Sequence, residues 1–104
     1  MKYSVQHGLP DRNRVRVVVE KAYAAYEERL SDYKPQLDWG QEDRATIGFT
    51  VMSQSINAVV EFDDDELRID GKVPLLFKPF QKKIESVLST EMEKWLEKAR
   101  NDEI

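Results

Sequence analysis

The connections between residues 36 and 73 are too short to let that stretch fold as anything but an antiparallel meander. Apolar residues there recur at every second position. Ala45, Ile47, Phe49 and Val51 alternate with Thr46, Gly48 and Thr50, and Ile56, Ala58, Val60 and Phe62 alternate with Asn57, Val59 and Glu61. Leu67, Ile69 and Val73 continue the pattern around Gly71. A period of two marks a strand with one apolar face. The breaks are Met52-Ser53-Gln54-Ser55 and Asp63-Asp64-Asp65, each a few residues long. Parallel neighbours need a crossover of about a dozen residues or more, so these strands pair antiparallel. Leu37 and Trp39 offer a further short strand over residues 36–40 before the turn Gly40-Gln41-Glu42-Asp43, and the spacing leaves open whether it joins the sheet.

A sheet with one apolar face needs a cover, and two segments supply it. Residues 2–7 alternate, with Tyr3 and Val5 on one side, and read as a first strand ending at Gly8 and Pro10. From 12 to 33, Val15, Val18, Val19, Ala22, Tyr26, Leu30 and Tyr33 recur in steps of three and four, a helical stripe with Asp11 as N-cap and Pro35 as stop. From 76 to 99, Phe77, Phe80, Ile84, Val87, Leu88, Met92, Trp95 and Ala99 form a second stripe, with Pro79 in its first turn or breaking off a short leading turn. Residues 100–104 are expected to fray. The fold class is therefore α+β: one domain over residues 1–104, two layers, an antiparallel sheet of four to five strands with two amphipathic helices on one face, in the order β-α-β-β-β(-β)-α.

Length and charge bound the function. The chain's 104 residues suit one core, and no apolar run is long enough to span a bilayer or serve as a secretory h-region. With 16 basic and 20 acidic residues the net charge is -4. That balance argues against nucleic acid as a partner. Residues 35–71 concentrate the deficit, with 2 basic and 9 acidic side chains, read as a solvated strand face and acidic turns. The chain has no cysteine, which removes disulfides and thiolate chemistry and suits a soluble cytoplasmic protein.

Catalytic chemistry has little to stand on. His7 is the sole histidine, placed where the first strand turns, and is expected to hydrogen-bond that turn rather than act as a general base. No serine sits in a Gly-x-Ser-x-Gly elbow, and Ser86, Ser89 and Thr90 have no marked partners. Asp63-Asp64-Asp65-Glu66 offers oxygen ligands without the spacing of a calcium loop, and a hairpin turn is the favoured reading. No cofactor or metal is expected.

A resemblance adds context. Ile47-Gly48-Phe49, Ile56-Asn57-Ala58-Val59-Val60, Leu67-Arg68-Ile69-Asp70-Gly71, the corner Gly71-Lys72-Val73-Pro74-Leu75-Leu76 and Phe80-Gln81-Lys82-Lys83-Ile84-Glu85 together resemble the bacterial polyhydroxyalkanoic acid system family, over roughly residues 2–100. The opening strand ending in His7, then Leu9 and a long helix, is similar to that family's start; the valine-rich beginning of the helix departs from it. The resemblance implies a bacterial cytoplasmic protein linked to storage polyester, with granules or proteins of that system as partners, and implies no reaction.

Two surfaces then become candidates. Lys72, Lys78, Lys82 and Lys83 have no acid among them and adjoin Leu75, Leu76, Phe77 and Phe80, the composition of a segment that sits on an amphiphilic surface such as a granule coat. The alternative for those residues is a packed Phe77 and Phe80 with lysines in water. Trp39, Phe49, Phe62, Phe77 and Trp95 are candidates to line an apolar groove between helix and sheet that holds a small acyl ligand, or else they fill the core.

Overall fold

Antiparallel pairing runs through the whole sheet. The structure, a computed structural model, describes residues 1–104. Strands β1 (Lys2–Gln6), β2 (Gln36–Gln41), β3 (Arg44–Val51), β4 (Gln54–Phe62) and β5 (Glu66–Gly71) lie in the order β1-β5-β4-β3-β2. Residues 36–40 thus belong to a paired edge strand, and β1 closes the other edge against β5. The β3–β4 hairpin turns on Met52 and Ser53 alone, both with positive φ (51° and 64°), the geometry that matches the strands' right-handed twist.

The register puts the apolar strand residues on one face, Val59 excepted. One cross-sheet row reads Trp39, Ala45, Val60, Ile69, Tyr3, and the next toward the β4–β5 turn pairs Phe62 with Leu67 and Val5. The opposite face is polar, and Arg44 and Arg68 both flank Glu61 there at 3.5 and 3.7 Å.

Helix α1 (Arg12–Glu27) leaves β1 at one edge and delivers the chain to β2 at the other. The helix runs along the strands: Arg12 at its start bonds Asp64 and Asp43 of the β4–β5 and β2–β3 turns, and Tyr26 near its end lies by Phe49 and Ile56, toward the β3–β4 hairpin. Asp11 caps it, its side chain accepting from the Arg14 amide at 3.2 Å. The helix was expected to run to Tyr33 and stops at Glu27. Glu27, Glu28 and Arg29 all face water, Ser31 and Asp32 are weak helix formers, and nothing rewards another turn. A 3-10 turn, Ser31–Tyr33, follows, and left-handed Lys34 (φ 50°) leads into Pro35.

Helix α2 (Gln81–Arg100) begins later than residue 76, because Pro79 has no amide to donate and the segment Leu75–Phe80 forms a separate 3-10 turn. At the far end the expected fraying does not occur. The Glu103 amide donates to the Lys98 carbonyl (2.8 Å) and the Asp102 amide to that of Ala99 (3.1 Å), with Asp102 left-handed, which is a Schellman cap. Ile104 packs against the core, and the Arg14 guanidinium donates to its carbonyl at 2.8 Å.

Val15, Val18 and Val19 of α1, Met92, Leu96 and Ala99 of α2, and Val60, Phe62, Leu67 and Ile69 of the sheet share one buried cluster, with Leu9 at its edge. Every α2 residue in that cluster lies in the second half of the helix.

Candidate functional site

Side-chain volumes along the covered face of the β4–β5 pair fall from one end to the other. The β4–β5 pairs run Phe62 with Leu67, Val60 with Ile69, then Ala58 with Gly71. The last pair leaves a gap that neither helix fills. A Cβ on Gly71 would stand only 3.2 Å from that of Ala58, so the two strands cannot carry larger groups there without shifting. The result is a cleft of about 400 Å³, with 18 of its 23 lining residues hydrophobic.

Its floor is Ile47, Phe49, Ile56 and Ala58 from the sheet; Ala22, Tyr23 and Tyr26 of α1 form one wall, and Ile84, Leu88 and Trp95 of α2 the other. Val73, Pro74 and Phe77 lie at the corner between β5 and α2. A hydrogen-bond chain ties the two walls. Trp95 Nε1 donates to Tyr26 Oη at 3.1 Å, and Tyr26 Oη donates to Glu91 Oε2 at 2.5 Å, with the rings edge to face at 6.2 Å. Burial, then the acceptor Glu91, raises the Tyr26 phenol above its ordinary pKa, so it stays a donor at neutral pH.

The five candidate groove aromatics divide. Phe49, Phe77 and Trp95 line the cleft. Trp39 and Phe62 do not: they stack edge to face at 6.1 Å, Phe62 fully buried, with the Arg16 guanidinium 4.1 Å from the centre of the Trp39 ring. Phe62 belongs to the large-residue end of the sheet and Trp39 sits one row from it, which places both in the core rather than the cleft.

Of the four candidate lysines, Lys72 lines the cleft, and Lys78, Lys82 and Lys83 are exposed on the segment between the lining residues Phe77 and Ile84. None of the four is in an ion pair; the ten in the molecule use arginines and Lys94. Around them Leu75, Leu76, Phe80, Ile84 and Val87 stand 85%, 54%, 59%, 38% and 54% exposed. Phe80, expected to be on the buried stripe, is therefore on the surface, because the 3-10 turn before α2 rotates it away from the sheet.

His7 is fully buried at the opposite end. Its Nδ1 accepts from the Leu9 amide at 3.0 Å, which requires that the proton sit on Nε2, the atom 2.9 Å from the Asp63 carbonyl. Both ring nitrogens are committed to backbone, so the imidazole pins the β1 exit to the β4–β5 turn. That turn is equally tied. Asp63 accepts from the Asp65 and Glu66 amides (2.9 and 2.7 Å) and from Arg68, and Asp64 accepts from Arg12. The two backbone amides, then Arg68, hold the Asp63 carboxyl down at about 2, and Arg12 holds that of Asp64 below its usual range.

The sequence reading did not anticipate the Tyr26–Glu91–Trp95 chain or the place of Lys72. Tyr26 and Trp95 on facing helical stripes, with Glu91 one turn before Trp95, was the available signal.

No helix is long and apolar enough to cross a membrane. No curated protein and no solved structure matches the chain. A family model does, over residues 2–96, and with nearly the whole sheet-and-helix framework inside that match the chain belongs to the family described as "Putative polyhydroxyalkanoic acid system protein".

Proposed function

We propose that this protein is a non-catalytic accessory of the polyhydroxyalkanoic acid system, acting by contact with the granule surface or with proteins that coat it. The observation that carries the reading is the surface at the start of α2. Leu75, Leu76, Phe80, Ile84 and Val87 are large apolar side chains left in water beside three lysines without ion-pair partners. Contiguous exposed apolar groups rimmed by charge are what interaction surfaces look like, and cations beside them favour an anionic or amphiphilic layer. Family membership supplies the context in which such a layer is a granule coat. His7, locked to backbone on both nitrogens, supports the absence of acid–base catalysis at that residue.

The test is co-sedimentation with isolated polyester granules. The native chain should pellet with them, and the triple variant Lys78→Glu, Lys82→Glu, Lys83→Glu should remain in solution while keeping its circular dichroism spectrum. A native chain that stays in the supernatant would overturn the reading. A second reading, a small hydrophobic ligand of acyl type held between helix and sheet, is favoured by one specific observation, the cleft floored by Ala58 and Gly71.

A further inference from the structure

The cleft carries a charge asymmetry that narrows its ligand. Two ionisable side chains with formal charge at neutral pH line it, Lys72 and Glu91. Glu91 is already answered: its Oε2 accepts from Tyr26 and lies 3.9 Å from the Lys94 ammonium. Lys72 has no carboxylate within ion-pairing distance, and the further cations Lys78, Lys82 and Lys83 fall on the stretch that joins two other lining residues, Phe77 and Ile84. The uncompensated charge at this cleft is positive and gathered at the corner between β5 and α2. Away from that corner the lining is aliphatic and aromatic apart from Asn57 and the engaged Glu91.

Along α2 the cleft is more open toward that corner. Ile84 lines the cleft and is 38% exposed, whereas Met92, also lining it, is buried. A ligand with its polar end at that corner meets Lys72, and one that reaches inward meets mainly apolar surface until Tyr26 and Trp95, whose polar atoms are engaged with each other. A volume of about 400 Å³ lies within the usual range of small-ligand sites.

We infer that the cleft is a binding site for a single-chain amphiphile with an anionic head, of the fatty-carboxylate class, its tail between α1, α2 and the Ala58–Gly71 floor and its carboxylate at Lys72. This rests on the ligand reading of the cleft and is independent of granule contact. Apolar burial supplies affinity, at about a fourfold gain for each methylene enclosed. Lys72 supplies the preference for an anion.

The chain reports on its own cleft. It has two tryptophans, of which Trp95 lines the cleft and Trp39 does not, so Trp39→Phe leaves the cleft residue as the sole indole. Decanoate and decanol, below their aggregation concentrations, are titrated against that variant by fluorescence and against the unaltered chain by calorimetry. Decanoate should bind saturably and more tightly than octanoate and than decanol. Lys72→Glu should weaken decanoate about fivefold or more and leave decanol within about twofold, as expected for reversing one exposed charge. Equal binding of acid and alcohol, with Lys72→Glu indifferent to both, would overturn the anionic-head assignment while leaving a ligand site. No saturable heat or Trp95 response with either probe would overturn the ligand reading itself. Lys72 is untouched in the triple variant used on granules, so the two proposals fail separately.

Discussion

The two halves of α2 share a sequence pattern and have opposite fates. In the second half, Met92, Leu96 and Ala99 are sealed into one core with residues of α1, β4 and β5. In the first, Ile84 and Leu88 continue that face over the cleft and Ile84 remains 38% exposed, while Val87, half a turn round from Leu96, points to water. The difference is made by what each half faces. Leu96 meets the end of the sheet where Phe62, Leu67 and Val60 project far enough to fill the space beneath a helix. Ile84 and Leu88 face Ala58 and Gly71 across a cleft. A helical stripe therefore reports where a helix wants a partner, and the volume on the opposing strands decides whether it finds one. The Tyr26–Glu91–Trp95 chain sits at the boundary and fixes the two helices there.

The largest effect should come from the packed half. Leu96→Ala removes a side chain with no exposed surface from a site whose neighbours are themselves buried, and should cost about 2–5 kcal/mol. Val87→Ala, on the same helix at 54% exposure, should stay within about 0.5 kcal/mol. Urea denaturation of both variants decides it. Similar losses at the two positions would mean that the first half of α2 is covered in solution, and the contrast between the halves would collapse.

His7 tests whether the end opposite the cleft is closed by polar bonds as well as by packing. His7→Ala would leave the Leu9 amide and the Asp63 carbonyl without their side-chain partner in a dry site, at about 1–3 kcal/mol for each buried group so stranded. His7→Asn keeps a short acceptor in reach of the Leu9 amide and should recover part of that loss. Thermal melts that rank native, His7→Asn and His7→Ala in that order support the pinning role. Equal melting temperatures for all three would remove it.

How much of this was legible depends on which property each element rests on. The antiparallel sheet follows from turn length, a quantity written in the sequence, and so do the inward positions of Ala45, Val60, Ile69 and Tyr3. Strand β1's place beside β5 is a long-range pairing with no local trace. The end of α1 and the start of α2 were misplaced because a stripe carries no information about where the surface beneath it stops; α1 has exposed Glu27, Glu28 and Arg29 at its end, and Pro79 diverts the chain into a 3-10 turn before α2. The C-terminal Schellman cap was missed because Asp102, not glycine, takes the left-handed position. For the candidate site, Phe49, Phe77 and Trp95 were named from composition, but so were Trp39 and Phe62. What separates the two sets is register: Ala58 opposite Gly71 makes the void, and that pairing becomes visible only once β4 and β5 are aligned.

The smallest effect concerns acid, and it distinguishes the two ends by charge. Asp63 in the folded chain titrates at about 2, below its ordinary value of 3.8, because two backbone amides and Arg68 favour its ionised form. A carboxyl depressed on folding contributes stability that is fully present above the unfolded value and is lost as pH falls through the folded one. The window therefore runs from about 4 down to about 2. Asp63→Asn keeps an oxygen for the Asp65 and Glu66 amides and removes the charge that Arg68 answers. The native chain should melt above Asp63→Asn at neutral pH, and the gap should close across that window. Acid in that window should loosen the β4–β5 turn, seen as faster amide exchange at Asp65 and Glu66, relative to Tyr26 and Leu88, than at neutral pH. A gap that stays constant down to the lower limit would show that the Asp63 carboxylate is not what holds the turn.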